Sequence, residues 1–159
     1  MKTHPVLFVC LGNICRSPLG EGIFRELADK TGNGGLYPVD SAGTGAWHAG
    51  SPPDPRSVRI AAEHGIDISA QRARKIEQDD FDRFALILAM DRNNLRDLRR
   101  MASPSVLAKV HLFDSYATSQ EVDVPDPYYG GPKGFEIVYN MLFAGCTSLI
   151  EKLAAERTS

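Results

Sequence analysis

Two side chains near the start of the chain have the types and spacing for attack on a tetrahedral anion. Cys10 ends an apolar run, Val6-Leu7-Phe8-Val9, and Arg16 follows six positions later in Cys10-Leu11-Gly12-Asn13-Ile14-Cys15-Arg16-Ser17-Pro18. The run reads as a buried strand. The Ser17-Pro18 pair reads as a helix start, with Ser17 at the N-cap and Pro18 in the first helical position. Residues 11–16 then form a tight turn, in which Gly12 and Asn13 are the types that accept a positive φ. Such a turn over a helix N-terminus aims several backbone N–H groups at one spot, and the helix dipole adds positive potential. The result is a cradle for a tetrahedral oxyanion, with a thiol at its floor and a guanidinium fork beside it. The same field favours a thiolate at Cys10. Leu11 and Ile14 add apolar contact on the turn itself.

The strand and turn need a scaffold. Strand-length apolar runs at about Val6–Cys10, Tyr37–Ser41, Leu86–Ala89 and Val110–Phe113 alternate with helical patterns at about Pro18–Lys30, Pro55–His64, Asp79–Phe84, Arg92–Met101 and Phe135–Ala154. This alternation predicts an α/β fold: a single-domain, doubly wound, four-stranded parallel sheet with helices on both faces, spanning residues 1–159. Right-handed crossovers put the segments after the strands on one edge. These begin at Leu11, Ala42, Met90 and Asp114, and they carry the anion loop, Trp47, the Met90-Asp91 pair and Asp126-Pro127-Tyr128-Tyr129. Topology thus brings residues distant in sequence to one rim.

Composition narrows the function classes. The chain has 159 residues, 43% of them hydrophobic, and a formal net charge of −2, which argues against a nucleic-acid binder. Arg92, Arg96, Arg99 and Arg100, interleaved with Asp91 and Asp97, read as a solvated helix face. No segment has the length of a membrane span or the layout of a signal peptide, so a cytoplasmic protein without membrane insertion is expected. Three cysteines fit a reducing compartment. The four histidines are too dispersed for a metal site, and His64 before Gly65 reads as a helix C-terminal signal. Cys146, in an apolar helical stretch, reads as a small buried hydrophobe.

The chain resembles the low-molecular-weight protein tyrosine phosphatases. Cys10 to Pro18 is similar to their phosphate-binding loop, and Asp126-Pro127-Tyr128-Tyr129 to their general-acid loop. Ser41-Ala42-Gly43-Thr44, Trp47-His48, His64-Gly65, Ala73-Arg74 and Met90-Asp91 through Asn94-Leu95 fit the family pattern in the same order. The resemblance runs from about Val6 to Leu153. It departs where relatives place a second histidine before the Ala-Arg pair, and this chain has Gln71-Arg72.

The resemblance implies hydrolysis of phosphotyrosine through a cysteinyl-phosphate. Cys10 would be the nucleophile, Arg16 the phosphate clamp and Asp126 the general acid and then base. No metal or cofactor is needed, because Arg16 and the loop dipoles hold the charge. Leu11, Gly12, Asn13, Ile14, Cys15 and Ser17 would form the substrate loop, with Asn13 bracing it toward Ser41. Ser17 has two compatible readings, helix cap and hydrogen-bond donor to the Cys10 thiolate. Asp126-Pro127 also has a second reading as plain turn chemistry. Trp47, Tyr128 and Tyr129 would flank a slot for a flat phenyl ring. Cys15 reads either as a loop spacer or as a resolving thiol that traps oxidised Cys10 as a disulfide, a redox control. The expected partners are phosphotyrosine-containing proteins and free tetrahedral oxyanions. An arsenate reductase on the same fold would need two further reachable cysteines, and only Cys15 and Cys146 remain. A non-catalytic phosphotyrosine-binding module would have no use for both Cys10 and Asp126.

Overall fold

The computed structural model describes residues 2–128 and 130–158. The proposed wall residue Tyr129 lies outside them. Four parallel strands, β1 (Val6–Cys10), β2 (Val39–Gly43), β3 (Leu86–Ala89) and β4 (Val110–Leu112), form one sheet in the order β2-β1-β3-β4. Among the described residues, six α-helices accompany them: α1 (Arg16–Lys30), α2 (Pro55–Glu63), α3 (Asp80–Arg83), α4 (Arg92–Met101), α5 (Phe113–Thr118) and α6 (Pro132–Thr158). A 3-10 segment, Pro104–Lys109, precedes β4.

The continuous apolar character of β1 follows from burial on both faces. Val6, Phe8 and Cys10 pack with Leu19, Ile23 and Phe24 of α1, Phe113 of α5 and Leu142 and Cys146 of α6. Leu7 and Val9, pointing the other way, pack with Phe81 of α3, Leu98 of α4 and Val106. The chain leaves β1 for β2 on one side and later returns to β3 on the other. The carboxyl end of β1 therefore lies at the switch point of the sheet, where Cys10 stands. Among the described residues, no helix is long and apolar enough to cross a membrane.

Some element boundaries differ from those expected. β2 begins two residues late, at Val39 paired with Val6. Pro38 contributes only its carbonyl, which accepts from Val6 N at 2.8 Å, while Tyr37 is buried edge-on against Phe24 without a ladder partner. The apolar pattern there reports burial rather than pairing. Phe113, expected to end β4, instead starts α5, which ends at Ser119 in the left-handed region. A buried aromatic after a three-residue strand cannot be told from a fourth strand residue by apolar pattern alone. α6 starts at Pro132 rather than Phe135, with proline in its favoured first-turn place.

Candidate active site

α1 begins at Arg16, two residues before the predicted start, so Ser17 lies inside its first turn and the cap position falls to Cys15, which makes no side-chain cap. This corrects the capping reading of Ser17. Its hydroxyl points back across the turn, 3.0 Å from Cys10 Sγ and 3.4 Å from the Ala42 carbonyl. A thiolate at Cys10 is the closer and stronger acceptor of that one proton.

The backbone of the turn is held from outside. The Cys10 and Leu11 carbonyls accept from Thr44 N and Gly45 N, both at 2.9 Å, and the Ile14 carbonyl from Asp54 N at 2.8 Å. The Cys15 carbonyl accepts from Ser57 Oγ at 3.4 Å. In a trans peptide the N–H opposes the carbonyl, so each anchored oxygen turns the next amide inward. Among the described residues, the amides of Gly12 to Cys15 donate to no protein acceptor. Consecutive unpaired amides in so enclosed a turn are the signature of an anion site.

The positive φ expected of both Gly12 and Asn13 occurs only at Asn13, at 58°. Gly12 instead lies close to a neighbour: a Cβ there would sit 3.0 Å from His48 Cδ2, so a larger residue would have to displace that ring slightly. Asn13 holds the turn from behind. Its Nδ2 donates to Ser17 Oγ at 2.8 Å and to Ser41 Oγ at 3.0 Å, and its Oδ1 accepts from Arg74 N at 3.0 Å. Ser41 in turn donates to Glu21 at 2.7 Å. Burial raises the Glu21 carboxyl above its usual range, against the hydrogen bonds from Ser41 and Arg25. Arg74 is locked by both oxygens of fully buried Asp80, at 2.9 and 3.1 Å. Glu21, Arg74 and Asp80 escaped the sequence reading, although Arg74 lay in a quoted motif. Gln71 donates to the Pro18 carbonyl at 3.2 Å and so touches the first turn of α1.

Arg16 is 2% exposed. Its Nη1 donates to Asp91 Oδ2 at 2.6 Å and to the Val124 carbonyl at 3.0 Å. Burial opposes its charge, but Cys10, Asp91 and Asp126 together outweigh burial and hold the guanidinium above its usual value. With Nη1 committed to protein acceptors, Nε and Nη2 remain for a bidentate anion. Asp91 also caps α4, accepting from Asn94 N at 2.8 Å. One carboxylate therefore ties the Arg16 guanidinium to a helix N-terminus. Of the acids interleaved with the α4 arginines in sequence, Asp91 turns inward to Arg16, while Arg92, Arg96, Arg99 and Arg100 share a groove with Leu95.

These elements surround a cavity of about 400 Å³. Cys10, Leu11, Gly12, Ile14, Cys15 and Arg16 line it from the loop; Trp47, His48, Asp126 and Tyr128 line it from the neighbouring segments. Asn13 and Ser17, expected among the substrate contacts, are not in the lining and are buried behind it. His48 was missed as a wall residue; its adjacency to Trp47 was the available signal. Asp126 makes the local turn of one of its readings, Oδ1 accepting from Tyr128 N at 3.0 Å, and its Oδ2 lies 3.8 Å from Arg16 Nη2 within the same cavity. Among the described residues, no group of three His, Cys, Asp or Glu side chains could hold a metal.

Trp47 is 72% exposed, yet its ring occupies the space over Gly45, where an added Cβ would fall 1.8 Å from a ring carbon. Gly45→Ala is therefore expected to push the indole away from the cavity. KM for aryl phosphates should rise several-fold while inhibition by inorganic phosphate stays unchanged, because the amide cradle is untouched. Steady-state kinetics with both ligands checks this.

Transfer of an oxyanion to a cysteine is the class of chemistry for which this arrangement is suited. Residues 5–159 match the family described as low molecular weight phosphotyrosine protein phosphatase, and the chain belongs to that family, a class of phosphomonoester hydrolases. The low molecular weight protein-tyrosine-phosphatase of Streptomyces coelicolor is 45% identical over 152 residues, covering 93% of this chain and 92% of that protein. The crystal structure of YfkJ from Bacillus subtilis superposes with a TM-score of 0.91 at 41% identity, covering 98% of each chain. That of the protein tyrosine phosphatase of Entamoeba histolytica, with Hepes in the active site, gives 0.92 at 35% identity, covering 98% of this chain and 99% of that one.

Proposed function

We propose that the chain hydrolyses phosphotyrosine in proteins, and aryl phosphates generally, through a cysteinyl-phosphate on Cys10. The observation that carries this reading is the set of unpaired amides from Gly12 to Cys15 around Cys10, sharing one cavity with Arg16 and Asp126. Cys10 Sγ attacks phosphorus, forming the S–P bond as the P–O bond to the phenol breaks. The amides and the free edge of Arg16 hold the equatorial oxygens as charge spreads over them. Asp126 protonates the departing phenol oxygen. Water then attacks the cysteinyl-phosphate, Asp126 takes its proton, and Cys10 leaves as thiolate, with Ser17 positioned to donate to it.

The aromatic lining suits a phenyl ring, and a phosphoserine side chain is too short to carry its phosphorus past Trp47 and Tyr128 to Sγ. Of the alternatives, a cysteine relay for arsenate reduction lacks a second reachable thiol: Cys146 is fully buried and contacts the Gly20 carbonyl at 3.9 Å. Turnover of p-nitrophenyl phosphate in a chelating buffer tests the reading. Release of phenol and phosphate is expected. Arsenate reduction without phosphate release, or phosphopeptide binding without turnover, would overturn it.

Redox control through Cys15 meets a chemical obstacle. Burial, reinforced by Asp54, Cys10 and Asp126, pushes the Cys15 thiol up to about 12. Only on the order of one part in 10^5 is thiolate at pH 7, and the thiolate is the attacking form. Attack on a Cys10 sulfenic acid, forming S–S and releasing the oxygen as hydroxide, should therefore be slow at neutral pH. It should accelerate about tenfold per pH unit above it. Mass spectrometry of peroxide-treated protein quenched at successive pH values checks this. A Cys10–Cys15 link forming at a pH-independent rate would show that Cys15 does not attack from this buried position.

A further inference from the structure

Asp54 caps α2, its Oδ1 accepting from Arg56 N at 2.8 Å. The same carboxylate grips the Arg56 side chain with both oxygens, from Nε at 3.0 Å and Nη2 at 3.0 Å. These bonds hold the Asp54 carboxyl below its usual range. The Asp54 amide donates to the Ile14 carbonyl, so the pair is fastened to the phosphate loop. The guanidinium meets two aromatic rings: its Cζ lies 5.4 Å from the centroid of Tyr128 and 4.6 Å from that of Phe135, at the start of α6. Tyr128 N donates to Asp126 Oδ1 at 3.0 Å. A line of contacts thus runs from the anion cradle through Asp54, Arg56 and Tyr128 to the carboxylate at the far wall.

The partly exposed ion pair and the surface cation–π contacts add little to stability. Their placement matters more. The Asp126 side chain is 42% exposed and stands 3.8 Å from its nearest cation, Arg16. A proton donor must lie within hydrogen-bond reach of the leaving oxygen, and displacement by about 1 Å can cost as much as 100-fold. With Nε and Nη2 spent on Asp54, Arg56 has its charge matched and its plane fixed, which suits a rigid wedge better than a phosphate ligand.

We propose that Arg56 is a positioning residue for the general acid, setting the distance between the acid loop and the phosphate loop by bridging Asp54 to Tyr128. The proposal rests on the reading of Asp126 as that acid. Its test is the rate of cysteinyl-phosphate formation for Arg56→Leu and Arg56→Lys, in the natural chain and with Asp126→Asn. Phenyl phosphate, with a weakly acidic phenol, is compared with p-nitrophenyl phosphate, with a strongly acidic one. Arg56→Leu should slow the phenyl ester about tenfold and the nitrophenyl ester far less, and should add nothing once Asp126 is Asn. Arg56→Lys keeps the charge without the planar fork and should behave as Leu does, which separates positioning from electrostatics even if the Leu variant folds poorly. Equal losses for both esters, rescue by Lys, or an undiminished loss in the Asp126→Asn background would overturn the proposal. If Asp126→Asn alone treats both esters alike, the acid reading fails and the Arg56 proposal with it. If that variant discriminates and Arg56→Leu does not, only the Arg56 proposal falls.

Discussion

Cys10→Ser is expected to lose turnover by on the order of 10^4-fold or more while the protein still folds and still binds inorganic phosphate. The hydroxyl is a far weaker nucleophile than the thiolate, and the group in hydrogen-bond contact with it, the Ser17 hydroxyl, is not a base. Anion binding survives because it rests on other groups. Among the described residues the amides of Gly12 to Cys15 have no protein acceptor, and the turn that carries them is anchored through its carbonyls to Thr44, Gly45, Asp54 and Ser57. Arg16 is fixed in place by hydrogen bonds to Asp91 and the Val124 carbonyl. Calorimetry with phosphate and steady-state kinetics on one preparation separate the two effects. Near-normal turnover would remove Cys10 as nucleophile. Loss of phosphate binding along with turnover would mean that the thiolate charge helps to organise the cradle.

The second large effect is expected at Asp126, and its size depends on the substrate. Asp126→Asn should depress cysteinyl-phosphate formation about 100-fold for phosphotyrosine, whose phenol is weakly acidic. It should depress the reaction progressively less as the phenol becomes more acidic. In the natural chain the dependence on leaving-group acidity should be shallow, because a proton accompanies the departing oxygen. In the variant it should steepen. A series of substituted phenyl phosphates, with cysteinyl-phosphate formation followed directly, checks this. A uniform loss for every phenol would show that Asp126 shapes the wall through its bond to Tyr128 N without supplying a proton. Asp91 is poorly placed as the substitute acid, since one of its oxygens is bound to Arg16 at 2.6 Å and the other caps α4.

Much of this was legible in the residues themselves. An apolar run ending in Cys10, two turn-forming residues and a Ser-Pro helix start specify strand, turn and helix in one short segment. That sequence of elements by itself orients backbone dipoles toward an anion. The alternation of strand and helix patterns determined the fold class, and with it the gathering of Cys10, Trp47, Asp91 and Asp126 at one rim, because handed crossovers leave no other edge for those loops.

What the tertiary structure alone decided were the pairings between elements. Ser17 read as a cap because Ser-Pro is a strong local signal. In the fold α1 starts two residues earlier, which places Ser17 within the first turn with its hydroxyl against Cys10. Asp91 gave no local hint that it would hold Arg16, and Arg74 gave none that it would brace Asn13. In each case the partner lies far along the chain, and the choice among many possible acceptors depends on distances of a few tenths of an ångström. Gly12 makes the same point: its type predicted a positive φ, but that conformation falls to Asn13, and Gly12 instead lies close to the ring of His48. Short-range spacing determines which local structures a segment can form. Which side chains then meet depends on the register and packing of the whole sheet, and no single segment contains that information.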